Sequence, residues 1–172
     1  MTRFSLATPL TEFDELPDLT DFSSGLETVD SWLSEHAEEA EMRGSARTFL
    51  IMADDGRVAG YYSLSMTSLA RNDGPKRLST NMPRLIPAVL IGRLARDARY
   101  AGVGLGPSLI QDAMARAVTA ARSVGAAAIV VDADPAAVQF YLDAGFRPTR
   151  AGGQLYVTMA DVEATVAPER RE

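Results

Sequence analysis

Leu26, Val29, Leu33, Ala37 and Ala40 recur at intervals of three and four residues. That spacing lines up one apolar stripe and predicts a helix over 27–42, stopped by Arg43-Gly44-Ser45. The pattern then changes period. Two short apolar runs, 47–53 and 57–66, flank Asp54-Asp55-Gly56, whose residues accept the backbone angles of a tight turn. They predict an antiparallel hairpin. The stretch 68–87 is polar and rich in proline and glycine, a long loop with room for one short helix. Loops of that length are uncommon without a function. A buried strand is predicted over 88–95, then a helix over 107–123 with Leu109, Ile110, Ala113, Met114, Ala117 and Val118 on one face. Gly125 ends it. The run 126–131 is almost continuously apolar and reads as a central strand. Asp134 is a good N-cap with Pro135 at the first helical position, and Gly145 is a left-handed terminator after Ala144. A last strand is predicted over 154–159. Strand, helix, strand at this spacing makes a crossover between parallel strands, whereas the front half is hairpin-like. The class is mixed α+β.

Composition narrows the chemistry. A chain of 172 residues, 47% apolar, suits a single domain, here 1–172 with a core over about 13–160. It has no cysteine, which removes disulfides, thiolate nucleophiles and cysteine-bound metals. Its one histidine, His36, cannot make a histidine metal cluster, so no metal is expected. The start of the chain lacks the apolar core of a signal peptide, and no apolar run reaches the roughly 18 residues of a membrane span. A cytoplasmic enzyme without membrane contact is the expectation. The net charge of -6 argues against general nucleic-acid binding, yet the stretch 71–99 is locally basic, with Lys76, Arg77, Arg84, Arg93 and Arg96.

Candidate chemistry concentrates at Arg99-Tyr100-Ala101-Gly102-Val103-Gly104-Leu105-Gly106, between a strand and a helix. Glycines let several N–H groups point one way, and a helix N-terminus adds partial positive charge. The next residue, Pro107, lies at the start of the predicted helix, where its missing N–H costs nothing. A phosphate loop of the Walker type needs lysine and a hydroxyl residue after the last glycine, and Pro107-Ser108 stand there instead. A dinucleotide fingerprint needs its third glycine at position 107.

Arg99-x-x-Gly102-x-Gly104 opening a helix resembles the pyrophosphate motif of the GNAT acetyltransferases. Ala137-x-x-Phe140-Tyr141-x-x-x-Gly145-Phe146 resembles the second signature of that family. The resemblance covers roughly 13–159. It implies the GNAT fold: a mixed, mostly antiparallel sheet with a central splayed parallel strand pair, flanked by helices. It also implies acetyl-CoA as cosubstrate. The motif headed by Arg99 would bind its pyrophosphate on the amides of Gly102, Val103, Gly104, Leu105 and Gly106, and its pantetheine would pair with the splayed strand at Leu94, Ala95 and Arg96. Tyr141 matches the tyrosine that protonates the departing thiolate. Many members carry a glutamate base on the strand before the glycine loop; here Leu90-Ile91-Gly92-Arg93 offers no carboxylate. A lysine amine of pKa about 10.4 would need such a base, whereas an α-amine of pKa about 8 is already partly neutral. The missing base tilts the substrate toward the weaker amine.

A narrower likeness follows. Phe22-Ser23-Ser24-Gly25, Asp30-Ser31-Trp32-Leu33, Gly60-Tyr61-Tyr62-Ser63-Leu64, Ile86-Pro87-Ala88-Val89 and Gly92-Arg93-Leu94-Ala95 are similar to segments of the TacT-like toxins of toxin–antitoxin systems. Those GNAT enzymes acetylate the amine of aminoacyl-tRNA. The likeness implies aminoacyl-tRNA as substrate, a small ribbon-helix-helix antitoxin as partner, and leaves a homodimer open. Lys76, Arg77 and Arg93 would then face the tRNA acceptor end; solubilising surface charge is the alternative for each. Arg93, inside an apolar strand, is the strongest of them, because a charge there wants an anion or a carboxylate. Trp32 and His36, one helical turn apart, read as the packing edge of the first helix, with substrate contact as the alternative. Two other functions stay open: acetylation of a small amine or a protein N-terminus, and a module that binds coenzyme A without turnover.

Overall fold

The computed structural model describes residues 1–166. One seven-stranded sheet has the order β1-β2-β3-β4-β5-β7-β6. Its strands are β1 (Thr8–Pro9), β2 (Arg47–Met52), β3 (Val58–Ala70), β4 (Leu85–Arg96), β5 (Ala128–Asp132), β6 (Arg147–Pro148) and β7 (Gln154–Thr158). The helices are α1 (Glu27–Glu35), α2 (Ala37–Arg43), α3 (Lys76–Ser79), α4 (Leu105–Val124), α5 (Val138–Asp143) and α6 (Met159–Val166). The pairs β1–β2, β2–β3, β5–β7 and β6–β7 are antiparallel, and β4–β5 is parallel. The expected mixed sheet with one central parallel pair is therefore present, with α4 as the crossover helix between its strands.

Two compact units can be described, the first formed by Met1–Ser65 and Gly92–Asp112 and the second by Met66–Ile91 and the described residues from Ala113 to Val166. In the first, the hairpin β2–β3 turns where expected. Gly56 adopts φ 87, and the Ala53 N–H donates to Arg57 O at 2.9 Å. The core of this unit gathers Leu33, Ala37, Leu50, Val58 and Tyr61, with Trp32 and Ala95 packed against it. Gly60 allows a close approach. A Cβ there would lie 2.9 Å from Leu109 Cδ1 of α4 and 3.3 Å from Ala95 O of β4.

In the second unit β4 and β5 pair over Ala88↔Ala128 to Ile91↔Val131. Ile86, Ala88, Ala128, Val130 and Tyr156 form its core with Leu69 and Leu78. Burial explains why 126–131 reads as continuously apolar: Ala128, Ile129 and Val130 are wholly buried, in a strand paired on both edges.

The expectations fail at several boundaries. The helix predicted over 27–42 is two helices, α1 and α2, because His36 leaves helical geometry at φ -126, ψ -20. The apolar stripe survives the break, with Leu33 and Ala37 both unexposed, so periodicity could not reveal it. β3 runs on to Ala70 and β4 starts at Leu85, which shortens the expected loop and leaves α3 within it. Helix α4 begins at Leu105, so Pro107 is its third residue and not its first. It still lies in the first turn, where no intrahelical N–H bond is lost. Asp134 caps as expected, its side chain accepting from Ala136 N, but it opens a 3-10 turn over Pro135–Ala137 that precedes α5.

Candidate active site

The glycine loop is held open by its backbone. Gly102 and Gly104 adopt φ 76 and φ 84, and nothing lies within 4 Å of the positions their Cβ atoms would take. The first bond of the helix runs from Ser108 N to Gly104 O at 3.2 Å. No N–H over 102–106 meets an acceptor among the described residues, and Val103 and Gly104 are exposed. Unpaired amides in series at the head of a 20-residue helix form a site for an anion such as a diphosphate. The fit to the pyrophosphate of acetyl-CoA is good on this ground.

Arg99 is held by two carboxylates. Its guanidinium is bound to Asp97 and Asp21, with Nε to Asp97 Oδ1 at 2.9 Å and Nη2 to Asp97 Oδ2 at 2.8 Å and to Asp21 Oδ2 at 2.9 Å. These hydrogen bonds, to Asp97 first, raise its pKa further above the ordinary arginine value. Its side chain therefore anchors the approach to the loop. Beyond the last β4–β5 pair, β4 continues through Gly92, Arg93, Leu94, Ala95 and Arg96. Arg93, Leu94 and Ala95 are half-buried there, and Arg96 is exposed.

Arg93 finds no carboxylate and no carbonyl among the described residues. Its guanidinium carbon instead sits 4.3 Å from the centroid of the Trp32 ring. Burial lowers its pKa, opposed in part by Tyr61. Spacing along the chain gave no sign of this contact, and sequence reasoning placed Trp32 first at the packing edge of the helix.

In the second unit Tyr141 lies on α5, buried at 5% exposure, with Phe140 and Phe146 edge-on at 5.1 and 5.5 Å. Burial pushes its phenol up to about 12. Its hydroxyl has no hydrogen-bond partner among the described residues. Such a group keeps its proton at any ordinary pH and can act as a donor, never as a base. Lys76 and Arg77 are exposed on α3. Arg77 Nη2 is bound to Asp161 Oδ1 of α6, so only Lys76 of these two cations is left without an acid partner among the described residues. Among the described residues there is no cluster of histidine, cysteine or carboxylates that could hold a metal, and no helix is long and apolar enough to cross a membrane.

An anion cradle at the head of a helix that follows a strand of a mixed sheet suits the diphosphate of coenzyme A. Residues 15–157 match the family described as acetyltransferase (GNAT) domain, and this chain belongs to the GNAT acetyltransferases. It is 43% identical over 116 residues to a tRNA-acetylating toxin of Mycobacterium tuberculosis, covering 67% of this chain and 69% of that protein. It is 30% identical over 142 residues to a probable toxin TacT of Sinorhizobium fredii, covering 76% and 78%. Among solved structures, AtaT complexed with acetyl-methionyl-tRNAfMet is similar with a TM-score of 0.84 and 26% identity, over 97% of this chain and 100% of that one. AtaTR bound with acetyl-CoA follows at TM-score 0.78 and 27% identity, over 96% and 98%.

Proposed function

We propose that this chain moves the acetyl group of acetyl-CoA onto the α-amine of aminoacyl-tRNA, and so blocks translation as the toxin of a toxin–antitoxin pair. The observation that carries the reading is the run of unpaired amides over 102–106, found in a homologue of tRNA-acetylating toxins. The whole chain acts as one N-acetyltransferase domain. The amide run takes the diphosphate, and the continuation of β4 at Leu94, Ala95 and Arg96 takes the pantetheine as an added strand would. The neutral amine attacks the thioester carbon. The carbon–sulfur bond then breaks, Tyr141 hydrogen-bonds the leaving thiolate and supplies its proton, and the amine loses its own proton to water. No acyl-enzyme forms, because the chain has no cysteine to carry one. Lys76 and Arg93 contact the acceptor end of the tRNA, with Arg77 contributing when its acid partner releases it. The protein partner is a small ribbon-helix-helix antitoxin, and the setting is the cytoplasm.

The test is incubation with labelled acetyl-CoA and charged tRNA, followed by hydrolysis of the ester and identification of the labelled amino acid. Label on N-acetyl amino acids released from tRNA is the expected result. Label that reaches only free small amines or protein N-termini overturns the RNA substrate and leaves the acetyltransferase.

A further inference from the structure

Arg93 is a half-buried cation whose guanidinium carbon lies 4.3 Å from the centroid of the Trp32 ring. That ring in turn lies against a second one. Trp32 stacks on Tyr61 with centroids 6.2 Å apart and planes inclined by 5°. Tyr61 is wholly buried and donates its hydroxyl proton to Val29 O of α1 at 2.6 Å. Phe22 meets Tyr61 edge-on at 5.4 Å. The phenol is thus fixed from two sides, and the indole rests on a surface that cannot shift without disturbing the core.

A guanidinium taken partly out of water loses hydration that an unpaired arginine does not recover. The ring quadrupole of an indole replaces some of that loss and does so only on the flat face of the cation. The N–H groups lie in the plane of the guanidinium, so a guanidinium held face-on to an indole keeps them directed outward and free to take two oxygens of one anion. Lysine on the same stem would offer a point charge with no such plane.

We infer that Trp32 is a positioning residue for RNA: it holds the Arg93 guanidinium flat, so that its N–H edge receives a phosphate of the tRNA acceptor end. The inference rests on the reading above that Arg93 contacts the RNA. It adds that the contact is set before the substrate arrives, with little side-chain ordering left to occur on binding. It also turns the only tryptophan of the chain into a reporter of that contact.

Two measurements test it. In steady-state kinetics with charged total tRNA, Arg93→Ala raises KM for the tRNA. Trp32→Leu raises the same KM on the order of fivefold, the size of a partly desolvated cation–π contact. Trp32→Phe falls between wild type and Trp32→Leu, and Arg93→Ala combined with Trp32→Leu is no worse than Arg93→Ala alone. KM for acetyl-CoA stays as in wild type throughout, which a general loss of packing would not allow. In the second measurement, deacylated tRNA titrated into unaltered protein changes the Trp32 emission, and the change is absent from Arg93→Ala at equal RNA concentration. This arm needs no tryptophan variant to fold. If Arg93→Ala leaves KM for tRNA unchanged, both the arginine contact and the inference fall. If Arg93→Ala raises it but Trp32→Leu and Trp32→Phe do not, the arginine contact stands and the inference is overturned. An emission that ignores tRNA in the unaltered protein overturns it as well.

Discussion

Arg99 and Asp97, two residues apart, form a two-point ion pair in which both carboxylate oxygens are engaged by one guanidinium, at 2.9 and 2.8 Å. Asp97 has no solvent exposure and also accepts from the backbone N–H of Ser23 and of Arg99 itself, each at 2.9 Å. Burial by itself would raise its pKa. The hydrogen bonds from the Arg99 side chain, the Ser23 amide and the Arg99 amide, with the Arg99 charge, outweigh it and hold the carboxyl at about 2. The residue that heads the glycine motif is thus spent on fixing where the chain turns into the loop.

Removing that charge should unsettle the protein in a pH-dependent way. The pair's carboxyl is depressed from 3.8 to about 2, so its contribution is fully present above pH 4 or so and is lost as pH falls toward 2. After allowance for screening it amounts to about 1 to 2 kcal/mol at neutral pH. Asp97→Asn is expected to lower urea stability by about 2 kcal/mol at pH 7. The gap to wild type should narrow as pH is taken from 5 to 3, because the carboxyl of the unfolded wild-type chain then takes up its proton while the folded one keeps its charge until pH nears 2. A gap that stays constant across that range would mean the charge is not what matters.

Tyr141 carries a raised pKa, about 12, caused by burial. The protonated form is the useful one for assisting a thiolate to leave, and it is depleted only as pH climbs through that value. Tyr141→Phe should lower kcat on the order of a hundredfold, the lower end for general acids, with little change in KM for acetyl-CoA. In the wild-type enzyme kcat should rise with pH as the substrate amine loses its proton, and should show no descending limb up to roughly pH 10. A fall in rate between pH 8 and 10 would mean that an acid of lower pKa does the work.

The loop makes a separate demand. Gly104 stands at φ 84 with open space around its Cβ position, so alanine there meets no clash and only the backbone suffers. The left-handed region costs a non-glycine residue about 1 kcal/mol, and relaxing it re-aims the amides of 104–106. Gly104→Ala should raise KM for acetyl-CoA about tenfold while leaving most of the stability of the free protein intact. Thermal melts with and without coenzyme A separate the two effects, since the ligand-induced rise in Tm should shrink in the variant. An equal rise in Tm for variant and wild type would show that the cofactor is held elsewhere.

What the sequence conveyed depended on how local each feature is. The stripe of Val29, Leu33, Ala37 and Ala40 and the turn at Gly56 depend on neighbours a few residues away, and both were legible, although Leu26, expected in the stripe, is exposed ahead of α1. The glycine loop was legible because so many glycines before a helix have few other uses. The two-residue strands Thr8–Pro9 and Arg147–Pro148 are too short to show any period. Helix α6 starts directly after β7, so Met159 reads as the end of a strand. Side-chain partnerships were the least visible. Arg99 meets Asp21 across 78 positions and Arg77 meets Asp161 across 84. Nothing in composition or spacing joins such pairs, so the acid partners of Arg99 and Arg77 were not visible in the sequence.

That last pair carries a prediction of its own. Arg77 and Asp161 are both partly exposed, at 53% and 44% of their side chains, so the bond between them is weak and an RNA phosphate can compete for the guanidinium. Asp161→Asn frees Arg77 and also removes a negative charge from the same patch. KM for aminoacyl-tRNA should then fall about two- to threefold at low salt, with a steeper loss of affinity as salt is raised. Lys76→Ala, which removes a cation that has no acid partner among the described residues, should raise that KM more than Arg77→Ala does. The order matters because simple counting of charges makes the two cations equal. Equal effects of Lys76→Ala and Arg77→Ala, together with no gain from Asp161→Asn, would mean that Asp161 does not restrain Arg77 when RNA binds.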